Sequence, residues 1–235
     1  MTRLRREAIE MLLAALIGLV VAAVATVARG QTCGPGGCPM PGRGVGVGVG
    51  IGIGGWGQPR APRQEPASAQ NPPPQAVRIA NRTEREICYG SGALVQFAGR
   101  TLAITCRHLF TDGVGTITVA FPGGQPQAAQ LLGVDQMADL AALAIARPEV
   151  QPLAIATNPP LQGHKLWGGG FGSPQERWRW ISGTCHGYVR LDRNSKSATT
   201  FAMPGPARDG DSGGPVLNER GELAGVIWGT DDPRE

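Results

Sequence analysis

Residues 81–235 are predicted to form an all-β domain, a sandwich or a barrel, because three observations coincide. Short apolar or alternating runs follow one another, Gly, Pro, Asn and Asp separate them, and no segment carries a long amphipathic helical stripe. The first expected strands are 93–97 and 101–106, joined by a turn at Ala98-Gly99. Strands at 116–121, 129–134 and 140–146 follow. A Pro-rich stretch near 148–163 then divides the domain into halves, which suggests two small barrels, about 81–148 and 160–235. The second half contributes strands at 165–167, 178–189, 215–218 and 223–228, the last two joined by a turn at Glu219 to Gly221.

The residues before this domain read differently. Residues 11–28 carry no charge, are preceded by Arg3, Arg5 and Arg6, and are followed by Arg29. As a helix they would span roughly 27 Å, enough for a thin hydrocarbon core. Residues 1–30 are therefore expected to be one N-terminal apolar helix. It is either a retained membrane anchor, the favoured reading, or a signal peptide with small residues at cleavage spacing. The arginines before it place the N-terminus in the cytoplasm, and both readings export the remainder. The expected location is the membrane, single-pass with the domain on the extracytoplasmic side, or else secreted or periplasmic after cleavage.

Residues 31–80 are expected to be a disordered Gly/Pro-rich linker. The chain has 36 Gly and 20 Pro, and this segment holds the alternating Gly/Val and Gly/Ile tract of Gly44 to Gly54. Such a composition buries too little side chain to offset the ordering entropy of its glycines. A strand formed by the tract is the minor alternative, since Gly weakens strands. Gly52, Gly54 and Gly57 satisfy G-x-G-x-x-G, but no βαβ unit surrounds them, and no dinucleotide site is expected. The net charge of +4 is spread without a basic cluster, so nucleic acid is not an expected partner.

The most specific string is Gly210-Asp211-Ser212-Gly213-Gly214-Pro215. A nucleophilic serine needs an exposed hydroxyl on a tight turn whose N–H groups converge where an oxyanion forms, and glycines permit both. A serine hydroxyl is inert at its own pKa, so Ser212 requires a base. His108, at the end of an apolar strand in Thr105-Cys106-Arg107-His108, supplies it. Asp139, ahead of the apolar run from Leu140, supplies the carboxylate that orients the imidazole. Asp135 is the weaker alternative. His164 and His186 read as loop or surface residues, for no Cys or carboxylate stands at zinc spacing beside them. No metal and no cofactor is expected.

In the order His108, Asp139, Ser212, with T-x-x-H, D-L-A-x-L and G-D-S-G-G-P around them, residues 87–230 resemble the trypsin-like, chymotrypsin-fold serine proteases. They are most similar to the compact bacterial branch that includes the high-temperature-requirement proteases. Gly90-Ser-Gly-Ala-Leu-Val95 resembles the first core strand of that family, and Gly221-Glu-Leu-Ala-Gly-Val226 the hairpin after the nucleophile. The resemblance implies a double six-stranded β-barrel of the chymotrypsin type with the site between the barrels. It also implies oxyanion donors at the backbone N–H groups of Gly210 and Ser212, and a substrate cleft lined by Ile227, Trp228 and Gly229.

A serine endopeptidase acting on protein or peptide substrates follows as the expected function. The alternative is an inactive, tethered binding module of the same fold. Two departures motivate that alternative: Cys106 and Arg107 stand where the family has small residues, and Trp228 is followed by only seven residues, where the family continues with another strand and a C-terminal helix. In animal members the residue at Asp211 pairs with a newly freed amine, so Arg78-Ile79 is a candidate activation site. On the exported side disulfides persist, and Cys33–Cys38 and Cys88–Cys106 are the candidate pairs.

Overall fold

The computed structural model describes residues 45–50, 71–97, 99–136, 138–146, 150–172, 177–189, 200–205 and 207–230. The expected apolar helix at 11–28, Cys33, Cys38 and the G-x-G-x-x-G glycines lie outside them. Among the described residues no helix is long and apolar enough to cross a membrane.

The first half is a closed six-stranded antiparallel barrel in the order β2-β3-β4-β7-β6-β5. Its strands are β2 (Ala76–Arg82), β3 (Ile87–Phe97), β4 (Arg100–Cys106), β5 (Thr116–Ala120), β6 (Gln127–Asp135) and β7 (Leu140–Ile145). Alternation explains the closure: Val77 and Ile79 of β2, Ala103 of β4, Ile117 and Val119 of β5 and Leu143 of β7 all turn into one core.

The second half is a seven-stranded antiparallel sheet, ordered β10-β11-β1-β13-β12-β8-β9. It contains β1 (Val45–Gly50), β8 (Lys165–Gly170), β9 (Arg179–Thr184), β10 (Gly187–Val189), β11 (Thr200–Pro204), β12 (Pro215–Leu217) and β13 (Leu223–Thr230). The expected second barrel is thus a sheet of seven strands, and β9 also approaches β11. Leu166, Ile181, Phe201, Val216 and Ile227 form its core.

Three expectations are corrected. The linker 31–80 contains two strands: β2 opens the first barrel at Ala76, and the Gly/Val tract supplies β1, which draws its ladder from neighbours on both sides. The single strand expected at 178–189 is two, parted at Cys185-His186, with Gly187 at φ 114° where a Cβ would be strained. β11 was not anticipated.

A third core lies between the halves. Leu102 of β4, Leu140 of β7, Leu217 of β12 and Leu223 and Val226 of β13 share it. Strands β4, β7, β12 and β13 are therefore buried on both faces, which is why Leu-Ala-Ile, Leu-Ala-Ala-Leu and Leu-Ala-Gly-Val read as continuous apolar runs rather than alternating ones. The ends of these same strands carry the candidate site.

Candidate active site

His108 lies in a 3-10 turn, Arg107–Phe110, directly after β4. Leu109 and Phe110 of that turn are buried in the first-barrel core, so the turn is anchored while His108 remains half-buried. Asn81, itself buried, fixes the following loop: its Nδ2 donates to the Leu109 and Gly113 carbonyls at 2.9 and 2.8 Å, and its Oδ1 accepts from Gly115 N at 2.9 Å.

Asp139 sits immediately before β7 with φ 51°, a left-handed conformation uncommon for a non-glycine residue. Three bonds hold it there. Its carbonyl accepts from Arg107 N at 2.9 Å, its Oδ1 accepts from His108 N at 3.0 Å, and its Oδ2 accepts from His108 Nδ1 at 2.6 Å. Strained backbone of this kind persists where surrounding contacts over-determine it, as at functional sites. The imidazole is thereby fixed with Nδ1–H toward the carboxylate and Nε2 left to accept a proton. Arg107, the departure noted in the sequence, brings its Nε to 3.9 Å from Asp139 Oδ1. Asp135, the alternative acid, instead accepts from Ala138 N at 3.0 Å and so closes the turn leading to Asp139.

Ser212 precedes β12 in a turn tied to both halves. Ser91 of β3, completely buried, is the tie: its N donates to the Ser212 carbonyl at 2.8 Å, its Oγ donates to the Gly210 carbonyl at 2.7 Å, and the same Oγ accepts from Phe171 N at 2.9 Å. Gly213, at φ 85°, packs so closely that a Cβ would fall 2.2 Å from Thr105 Oγ1 and 3.0 Å from Cys106 N. The Ser212 turn thus lies against the residues that lead into His108. The Ser212 Oγ itself donates to the Trp228 carbonyl at 3.5 Å, and a serine–imidazole bond is not among those formed by the described residues. Such bonds are often long in the absence of substrate.

The N–H groups of Gly210 and Ser212 have no acceptor among the described residues, and Gly210 stands at φ 81°. Asp211 between them is completely buried. It accepts from Arg208 N at 2.9 Å and from the Arg208 guanidinium at 3.2 and 3.0 Å, with Arg179 Nη2 at 3.6 Å.

This arrangement corrects the activation-site expectation. Ile79 is buried in mid-β2, paired with Gly90 and Val119, and Asp211 is already neutralised by arginines. Ile227, expected in the cleft, is also corrected. Its side chain belongs to the second core, and its carbonyl accepts from Gly213 N and Cys106 Sγ at 2.7 and 3.2 Å. Trp228, whose carbonyl faces Ser212, and Gly229 follow it on β13.

Cys88, Cys106 and Cys185 are free thiols, so the Cys88–Cys106 pairing is not formed. Burial, reinforced by the neighbouring Asp139 charge, pushes the Cys106 thiol well above its usual range and keeps it protonated as a donor. Cys106, His108 and Asp139 bring one ligand atom each within 4.8 Å of one another, the one such metal-type grouping among the described residues. The bonds His108–Asp139 and Cys106–Ile227 already engage these atoms, and this suits proton transfer better than metal ligation.

The family described as trypsin-like peptidase domain matches residues 90–226, more than half of the chain. Serine protease Rv3671c of Mycobacterium tuberculosis strain H37Rv is 25% identical over 178 residues, covering 70% of this chain and 44% of that protein. The chain spans less than half the length of this curated relative. Among solved structures, a serine endoprotease from Yersinia pestis is 26% identical with a TM-score of 0.55, over 65% of this chain and 53% of that one. The active form of the Rv3671c protease from M. tuberculosis gives a TM-score of 0.58 at 22% identity, over 74% and 82% of the two chains. With Ser91, Asp139 and the Ser212 turn all inside the matched span, the chain belongs to the trypsin-like peptidase domain family.

Proposed function

We propose that the protein is a serine endopeptidase that cleaves peptide bonds through an acyl-enzyme. The observation that carries this reading is the 2.6 Å His108–Asp139 bond on the wall against which the Ser212 turn is packed. Ser212 Oγ attacks the scissile carbonyl as His108 Nε2 takes its proton, and Asp139 holds the tautomer and stabilises the imidazolium. The N–H groups of Gly210 and Ser212 receive the oxyanion, and His108 returns the proton to the leaving amine. Water then repeats the sequence on the ester. No cofactor takes part.

Residues 11–28 would tether the domain to a membrane on its extracytoplasmic side, a reading supported by their apolar length and flanking arginines. Residues 81–235 would act as one protease domain, its two halves about 81–148 and 160–235, with the substrate between them.

The test is labelling of the full chain with a fluorophosphonate probe, beside Ser212→Ala and His108→Ala. Labelling that requires both residues is expected. A folded protein that reacts with neither probe nor peptide substrates would refute the assignment and favour an inactive binding module.

A further inference from the structure

Strand β1 is joined to its sheet in an unusual way. It precedes every other described element, and 25 residues of chain separate it from β2. Yet it lies inside the second sheet rather than at its rim, antiparallel to β11 on one side and to β13 on the other. The ladder runs from Val45↔Pro204 to Val49↔Thr200 on the first side and from Gly46↔Thr230 to Gly50↔Gly225 on the second. Remove β1, and β11 and β13 present two facing rows of unpaired N–H and C=O groups.

A Gly-alternating segment is a poor strand by itself, because glycine loses most entropy on ordering and offers no side chain to pack. Between two existing edges the balance changes, since backbone groups on both sides of the strand find partners at once, interrupted only by a register shift between Val47 and Gly48 opposite Trp228. This is the physics of strand addition, in which main-chain bonds supply the affinity. Intervening chain of that length reaches up to roughly 85 Å when extended, so insertion by the same molecule is unobstructed by length.

We propose that the space between β11 and β13 is a strand-acceptor slot, and that the Gly/Val repeat of residues 45–50 is its donor strand, inserted in cis. The tract is a working part of the folded domain, not a spacer. Its period of two has a consequence. A shift by two residues reproduces the same Gly and branched-residue pattern, so the donor has several near-equivalent registers, where most strands have one. Its docking braces β13 along the edge opposite β12, and β13 carries the Trp228 carbonyl that meets Ser212. Insertion stands apart from the catalytic reading; only the effect on turnover rests on it.

Two measurements on the full chain test the proposal. In the first, Val49→Cys with Thr200→Cys places thiols at paired positions, and Val49→Cys with Arg220→Cys is the control. An intramolecular 49–200 disulfide found by peptide mapping is expected. A disulfide between two chains, or none above the control, would overturn insertion in cis. In the second, hydrogen exchange of the unsubstituted chain should show amides 46–50 protected about 100-fold or more over the unstructured rate. Gly48→Pro, which removes a ladder donor, should lower protection in 45–50, 200–204 and 225–230 together and reduce turnover. Unprotected amides at 46–50 beside a protected β11 and β13 would overturn the proposal even if the protein turns over peptide. Protection with no turnover would sustain the slot and defeat the enzyme assignment.

Discussion

Replacing Arg208 by Ala isolates the group that holds the Ser212 turn. Asp211 is completely buried and has four contacts, two of them from the Arg208 guanidinium. Removing one partner of a buried ion pair costs about 3–5 kcal/mol, because the remaining charge is left desolvated. Arg179 at 3.6 Å and the backbone N–H of residue 208 stay behind, which places the loss near the lower end, about 3 kcal/mol. For a domain of this size that is a fall of about 6–12 °C in Tm. Guanidinium unfolding followed by tryptophan fluorescence reads the stability, and a steady-state peptide assay reads the site. Turnover should fall about 100-fold or more with little change in KM, since the two N–H groups flanking Asp211 lose their fixed direction. The comparison is Arg220→Ala, whose exposed pair with Glu222 at 2.6 Å should be worth under about 1 kcal/mol. The double variant Arg208→Met with Asp211→Asn should recover much of the lost stability, as it removes the stranded charge. The reasoning is refuted if Arg208→Ala and Arg220→Ala shift the midpoint equally.

Asp139→Asn should leave the fold intact and lower turnover about 10⁴-fold, because an amide at this position favours the wrong imidazole tautomer; circular dichroism and kcat together check it. Cys106 should resist iodoacetamide at pH 8 in the folded protein and react on unfolding, since burial holds its thiol protonated, whereas a reactive Cys106 in native protein would contradict that environment. At Glu222, burial opposes ionisation, but hydrogen bonds from Arg220 and Asn218 outweigh it and draw the carboxyl below its ordinary range. The sign follows: this depressed group contributes stability above its unfolded pKa that is lost as pH falls through the folded one, so Glu222→Gln should flatten the acid limb of the unfolding curve slightly.

Chemistry was easier to read from the sequence than architecture. His108, Asp139 and Ser212 stand in strings that read as base, orienting acid and nucleophile, and the fold brings His108 and Asp139 to 2.6 Å of each other. Most first-barrel strands were equally plain, because apolar runs broken by turn residues leave few options. What escaped notice depends on distant partners. Asn81 looks like a loop marker, yet it is buried and makes three bonds to a segment some thirty residues away. Ser91 looks like one small residue in a Gly-rich strand start, and only the folded chain brings it to Gly210 and Ser212. Asp211 invited a search for a freed amine far upstream, when its partner Arg208 lay three residues away. The signal was there in Arg-x-x-Asp, but that spacing means little outside a helix until a turn brings the ends together. A strand at β1 reads as only the minor alternative because its stability lies in its neighbours rather than in its composition.

A protein with the proposed activity is itself a polypeptide that a second copy could cut. The core shared by β4, β7, β12 and β13 bears on that hazard. Because each of these strands is buried on both faces, neither half can open without stripping apolar surface from the other. Partial openings that would thread an internal strand into a neighbour's cleft are thereby made nearly as costly as complete unfolding. Self-digestion would then fall on segments outside the shared core, where a cut leaves the site-bearing ends of those four strands in place.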